Sequence, residues 1–133
     1  WVAWFLIAAI LNKPITIYGD GKQVRDLLYI DDLVRAYDMA IAAGKKTRGR
    51  IYNIGGGAKN TLSVWREFEP LVHALHKKAI PVIYKGWRAG DQRVFIADIR
   101  LAKREFGWEP KTKVADGVQQ LYDWIAQNKS LFR

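Results

Sequence analysis

Cysteine is absent from this chain. Disulfides and thiolate metal sites are therefore excluded, and the composition fits a reducing, cytoplasmic setting. Acid is scarce: 13 Asp and Glu face 22 Lys and Arg, a formal charge of +9. The longest apolar run, Trp1 to Leu11, stops at Asn12-Lys13-Pro14, short of the roughly 20 residues that cross a bilayer. It also lacks the basic start and cleavage site of a signal peptide. A buried helix is expected there, and no membrane partner. Trp1 reads as a cut end, because a natural chain seldom opens in mid-core without a methionine. Neither G-x-G-x-x-G nor G-x-x-x-x-G-K-[ST] occurs, so nothing in the chain is expected to hold a redox cofactor.

What is present describes a folded domain. Half of the 133 residues are hydrophobic and six are tryptophan, against the composition of disorder. A chain of this length buries roughly two-thirds of its unfolded surface, so residues 1–133 are expected to form one domain. The positive charge is scattered, with short clusters at Lys45-Lys46, Lys77-Lys78 and Lys103-Arg104. A general positive field attracts nucleotide phosphates as well as nucleic acid, and no aromatic RNA-binding motif or basic recognition helix stands out.

The pattern predicts strands alternating with about five helices, hence an α/β class. After helix 1–12, Ile15-Thr16-Ile17-Tyr18 reads as a strand and Gly19-Asp20-Gly21 as a turn. Val24 to Ile30 reads as a second strand. Asp31 or Asp32 caps a helix with Leu33, Val34, Tyr37 and Ile41 on its core face, ending at Gly44. Lys45 to Arg50 is a polar loop and Arg50 to Ile54 a strand. Asn60 or Thr61 caps a helix with Trp65, Phe68, Leu71, Val72 and Leu75 inward, kinked or split by Pro70. Ile80 to Tyr84 and Arg93 to Ala97 are strands. Asp98 caps a short helix that stops at Gly107, and a final helix carries Val114, Val118, Leu121, Tyr122 and Ile125.

Two arginine motifs carry the functional signal. Tyr18-Gly19-Asp20-Gly21-Lys22-Gln23-Val24-Arg25-Asp26 and Trp87-Arg88-Ala89-Gly90-Asp91 each set an arginine beside a glycine-bearing turn. Glycine lets backbone approach a ligand, and a guanidinium presents paired donors that match phosphate oxygens. Arg25 and Arg88 converging from distant loops would clamp a diphosphate; the bland alternative for Arg25 is a surface pair with Asp26 or Asp31. Asp91 either caps its turn or accepts both hydroxyls of a ribose. Gly55-Gly56-Gly57 is either a tight strand-to-helix connection or a phosphate cradle. Tyr18 and Lys22 have Tyr-x-x-x-Lys spacing, but the Gly-Asp-Gly between them favours a turn over the helix that such catalysis needs. His73 and His76 read as a partly exposed helix face, since a metal would need a third ligand beside Lys77-Lys78.

These segments resemble the C-terminal part of the extended short-chain dehydrogenase/reductase enzymes, the NAD-dependent nucleotide-sugar epimerases and dehydratases with a Rossmann-type fold. The likeness rests on Pro14 through Leu33, Tyr52 through Gly57, Arg88 through Arg93 and Phe106-Gly107-Trp108-Glu109-Pro110. Trp1 through Phe5 and Gly86-Trp87-Arg88 look most like the CDP-paratose (CDP-tyvelose) 2-epimerase branch. The resemblance implies that Ile15, Thr16, Ile17 and Tyr18 run along a nucleobase through their backbone. It implies Arg25 and Arg88 on the diphosphate, Asp91 on the ribose and Asn53 as a support. The family's glycine fingerprint, cofactor-binding acid and helical Tyr-x-x-x-Lys are missing, so the chain matches a substrate-binding portion without the dinucleotide-binding part. No catalytic residue is assigned and no cofactor is expected on this chain alone, although the parent family uses NAD. It would expose apolar surface around Trp1, Trp4, Phe5 and a sheet edge, and self-associate. A truncated interaction module and a basic nucleic-acid binder are the alternative readings.

Overall fold

Nine apolar residues in succession leave a helix no polar face to turn to water, and Val2–Ile10 (α1) accordingly buries Phe5, Leu6, Ala8, Ala9 and Ile10. The computed structural model describes residues 1–132. They divide into two compact units. The first comprises residues 1–23, 63–93 and 115–133. Strand β1 (Ile15–Tyr18) buries Ile15 and Ile17 and leaves Thr16 and Tyr18 half-buried, the alternation of a strand with one face on a core. β1 pairs in parallel with a later strand, Val82–Lys85, in the register Ile15↔Val82 to Tyr18↔Lys85. α1 packs on the helix Phe68–His76, where Phe68 and Val72 are buried with Trp65 nearby. The helix Val114–Gln127 buries Val118 and Ile125 and meets His76 through Tyr122. Phe5 stands edge-on to Trp65 with ring centroids 5.9 Å apart.

The second unit comprises residues 24–62 and 94–114. Its strand β2 (Val24–Asp26) lies in a three-stranded sheet between Thr61–Ser63 and Val94–Phe95, pairing in parallel with the latter. Around Ala36, Ala102 and the fully buried Trp108 pack Leu28, Met39, Tyr52, Ile54, Ile99 and Phe106. In chain order the helices are α1, α2 (Ile30–Ala42), α3 (Gly44–Thr47), α4 (Phe68–His76), α5 (Arg100–Phe106) and α6 (Val114–Gln127). The strands after β2 are β3 (Thr61–Ser63), β4 (Val82–Lys85) and β5 (Val94–Phe95). The architecture is α/β, as the sequence pattern predicts.

Several elements depart from the sequence expectation for local reasons. β2 ends at Asp26 rather than Ile30; the Asp26 carboxylate accepts the N–H groups of Gly57 (2.9 Å) and Ala97 (3.2 Å). Neither Asp31 nor Asp32 caps α2. Its N-cap is Tyr29, without a side-chain bond, and Asp32 is a buried residue of the first turn. The expected inward face of α2 is largely outward: Leu33 is half-buried, but Val34, Tyr37 and Ile41 are exposed. The helix closes at Ala42, and Gly44–Thr47 makes a separate turn. Arg50 to Ile54 forms no strand, and its Tyr52 and Ile54 pack against the Trp108 cluster. Asn60 ends a 3₁₀ turn and Thr61 opens β3, so neither caps α4. Pro70 neither kinks nor splits α4. It is the third residue of that helix, where its missing N–H has no intrahelical acceptor to lose. Asp98 lies one residue before the α5 N-cap Ile99 and accepts the Arg100 N–H at 3.1 Å. Phe5, expected at an exposed apolar surface, is buried, while Trp1 and Trp4 are exposed.

Candidate nucleotide-sugar site

Parallel strands deliver their following loops to the same end of a sheet, and ligands of open α/β sheets bind beyond the carboxyl ends of strands. β1 and β4 end side by side at Tyr18 and Lys85. The Gly19 N–H donates to the Lys85 carbonyl at 2.9 Å, extending the pairing into the loops. The first loop, residues 19–23, folds back on Trp65, whose N–H donates to the Gly21 carbonyl at 2.9 Å. The second, residues 86–91, carries Trp87, whose ring covers Gly19. Gly19 has φ +81°, and a Cβ there would lie 2.8 Å from that ring.

Three of the expected residues, Tyr18, Arg88 and Asp91, lie in or beside this loop pair. The Arg88 guanidinium stacks on the Tyr18 ring at 3.7 Å from its centroid. Such stacking holds the planar group while leaving its edge donors directed outward. Arg93 lies 4.9 Å over the Trp87 ring. Gln23 donates from Nε2 to the Tyr18 carbonyl (2.5 Å) and, over 3.4 Å, to Asp91 Oδ2. Sequence reasoning quoted Gln23 inside a motif without assigning it a role. The available signal was a lone amide between Lys22 and Val24 in an otherwise charged and apolar stretch. The Lys22 N–H donates to Asp20 Oδ1 at 3.0 Å, so the Tyr18-to-Lys22 segment is a turn and the pair has no helical geometry. Ile15, Thr16 and Ile17 lie on β1, with both isoleucine side chains in the core.

Arg25 and Asn53 belong to the second unit. Arg25 is half-buried on β2 and donates from Nη1 to the Val24 carbonyl at 2.8 Å. Asn53 is exposed in the extended 51–54 segment. The triple glycine is a tight connection. A Cβ on Gly56 would sit 2.1 Å from the Leu27 carbonyl oxygen and one on Gly55 2.5 Å from the Ala97 Cβ, while the Gly57 N–H is given to Asp26. A separate cleft of about 820 Å³ is lined by Lys59, Ile96, Ile99, Pro110, Lys111 and Lys113 among others, and by none of the expected substrate residues.

Other ionisable groups serve the fold. Burial pushes the Asp32 carboxyl up, but the N–H groups of Thr112 (2.8 Å) and Lys111 (3.0 Å) and the Arg35 guanidinium prevail and hold it below the usual carboxylate range. The Arg100 guanidinium brings exposed Asp98 down to about 2. His76 bonds Tyr122 Oη through Nδ1 at 3.1 Å, and burial lowers its pKa. His73 faces Glu69 at 3.6 Å. Among the described residues no group of three or more His, Asp or Glu could hold a metal ion, and no helix is long and apolar enough to cross a membrane.

The GDP-mannose 4,6-dehydratase family model matches residues 4–121, nearly the whole span that carries these two units. This chain belongs to that family. CDP-paratose 2-epimerase of Salmonella typhi is 41% identical over 135 residues, covering 95% of this chain and 38% of its own length. Among solved structures, UDP-glucose 4-epimerase of Thermotoga maritima with UDP-glucose superposes with a TM-score of 0.81 at 32% identity, over 98% of this chain and 40% of its own. UDP-glucuronic acid 4-epimerase of Bacillus cereus, in complex with UDP-glucuronic acid and NAD, gives 0.83 at 30% identity, over 93% and 38%. The GDP-mannose 4,6-dehydratase family therefore includes NAD-dependent epimerases and dehydratases of nucleotide sugars. The chain spans about 40% of the length of these relatives.

Proposed function

We propose that this chain binds the nucleoside diphosphate of a CDP- or UDP-sugar, as the substrate-holding part of an NAD-dependent sugar epimerase, and has no catalytic activity alone. The observation that carries the reading is the loop pair at the carboxyl ends of β1 and β4, which holds Arg88 on Tyr18 and ties Asp91 to Gln23. Arg88 offers a planar, always charged fork to phosphate oxygens, and its stack on Tyr18 reduces the freedom lost on binding. Asp91 offers acceptors alone, suited to the hydroxyls of a ribose. The β1 backbone runs along the base, Arg25 is a second phosphate ligand and Asn53 a supporting residue, on the family likeness. NAD supplies the hydride chemistry in such enzymes.

Calorimetric titration with CDP, UDP and NAD tests this. The expected result is weak nucleoside diphosphate binding that falls at least about tenfold in Arg88→Ala, the loss of a charge-assisted contact. Equal affinity in wild type and variant overturns the assignment.

A further inference from the structure

We infer that Gln23 is a positioning residue that sets the carboxylate of Asp91 for a ribose, and so controls discrimination between ribonucleotides and 2′-deoxyribonucleotides. The inference rests on the proposed nucleotide site and assigns a residue that the site's own motif logic left idle.

Gln23 is 3% exposed. Its backbone is pinned, because its carbonyl accepts the Val64 N–H at 2.8 Å. Both neighbours of its side-chain nitrogen, the Tyr18 carbonyl and Asp91 Oδ2, are acceptors. The amide can therefore sit only one way round, with its NH₂ toward them. That orientation leaves Gln23 Oε1 buried and without a hydrogen-bond partner. A buried acceptor left unmade costs stability, and an apolar side chain of similar length would avoid it. Packing alone does not call for glutamine here; the two-donor nitrogen does. It joins the end of β1 to a loop whose residues 86–90 are all exposed, and it reaches that loop at the one carboxylate suited to vicinal hydroxyls. A carboxylate presents both oxygens to a diol only when its rotation is restrained, and a donor on Oδ2 contributes to that restraint.

The test compares a ribonucleoside diphosphate with its 2′-deoxy counterpart, CDP against dCDP and UDP against dUDP, by calorimetry on the 133-residue chain. The variants are Gln23→Met, which keeps length without donors, and Asp91→Ala. Wild type is expected to prefer the ribonucleotide by about tenfold, one hydrogen bond to a charged group. Both variants should bring that ratio close to one, and the double variant should lower it no further. A merely structural role weakens both nucleotides equally and leaves the ratio intact, which overturns the inference. Should Gln23→Met fail to fold, exchange of the Gln23 side-chain NH₂ protons in the wild type decides. Slowing by CDP or UDP but not by the deoxy forms supports positioning, and equal slowing refutes it. Absence of any nucleotide binding by wild type removes the underlying site, an outcome separate from an unchanged ratio.

Discussion

At the scale of single residues, the candidate site depends on what Gly19 lacks. Its φ of +81° is strained for any residue with a side chain, and a Cβ would press on the Trp87 ring. Neither can yield easily, because the Gly19 N–H is held by the Lys85 carbonyl. Gly19→Ala is expected to cost roughly 1–3 kcal/mol and to displace Trp87. Chemical denaturation measures the first and tryptophan fluorescence the second; an unshifted midpoint contradicts the account. Arg88 allows a finer separation. Arg88→Lys keeps the charge and loses both the fork and the stack on Tyr18, so diphosphate affinity should drop about tenfold with little change in stability. Titration with UDP at constant ionic strength reads it. An affinity equal to wild type would show that charge alone matters.

At the scale of elements, the chain was legible where local chemistry decides and opaque where tertiary contacts do. Strand β1, the turn at Gly19-Asp20-Gly21, the close of α5 at Gly107 and the long final helix follow from alternation, turn residues and apolar spacing. The inward face of α2 does not, because Asp32, Ala36 and Met39 take the places expected of Val34, Tyr37 and Ile41. The Asp32 carboxylate receives two N–H groups from residues 111 and 112, a contact nearly 80 residues away that no local pattern announces. Gln23 was unreadable for a related reason: its value lies in the Tyr18 carbonyl and in Asp91, 68 residues on. Asp32 yields a pH prediction. Its folded pKa is below the unfolded value of about 3.9, so its contribution is fully present above that value and lost as pH falls through the folded one. In Asp32→Asn the side chain keeps one acceptor for three donors, and the expected loss is roughly 2–3 kcal/mol at pH 7. The gap between wild type and variant should narrow as pH falls below about 4. Thermal melts across that range check the sign, and a gap that widens on acidification contradicts it.

At the scale of the whole molecule, two opposing properties set behaviour in solution. One is the formal charge of +9, which pushes copies apart. The other is exposed apolar area, concentrated on α2, where Ile30, Val34, Tyr37 and Ile41 recur at helical spacing and Tyr37 and Ile41 are 62% and 77% exposed. Ile51 is 90% exposed. Relatives of this chain are more than twice its length, so the 133 residues taken alone carry this surface without the rest of such a fold. Self-association through the α2 face is expected, and the two forces give it a diagnostic salt dependence. Raising salt shortens the Debye length from about 30 Å at 0.01 M to about 3 Å at 1 M, which removes the repulsion, while apolar burial is not weakened. Association should therefore strengthen with salt in sedimentation experiments. Paired Val34→Gln and Ile41→Gln substitutions should return the chain to monomer at unchanged charge, with stability altered by at most about 0.5 kcal/mol, because both side chains are already in water. Assembly that weakens as salt rises would point instead to ionic contacts, and a monomer at every salt concentration would contradict association through the α2 face.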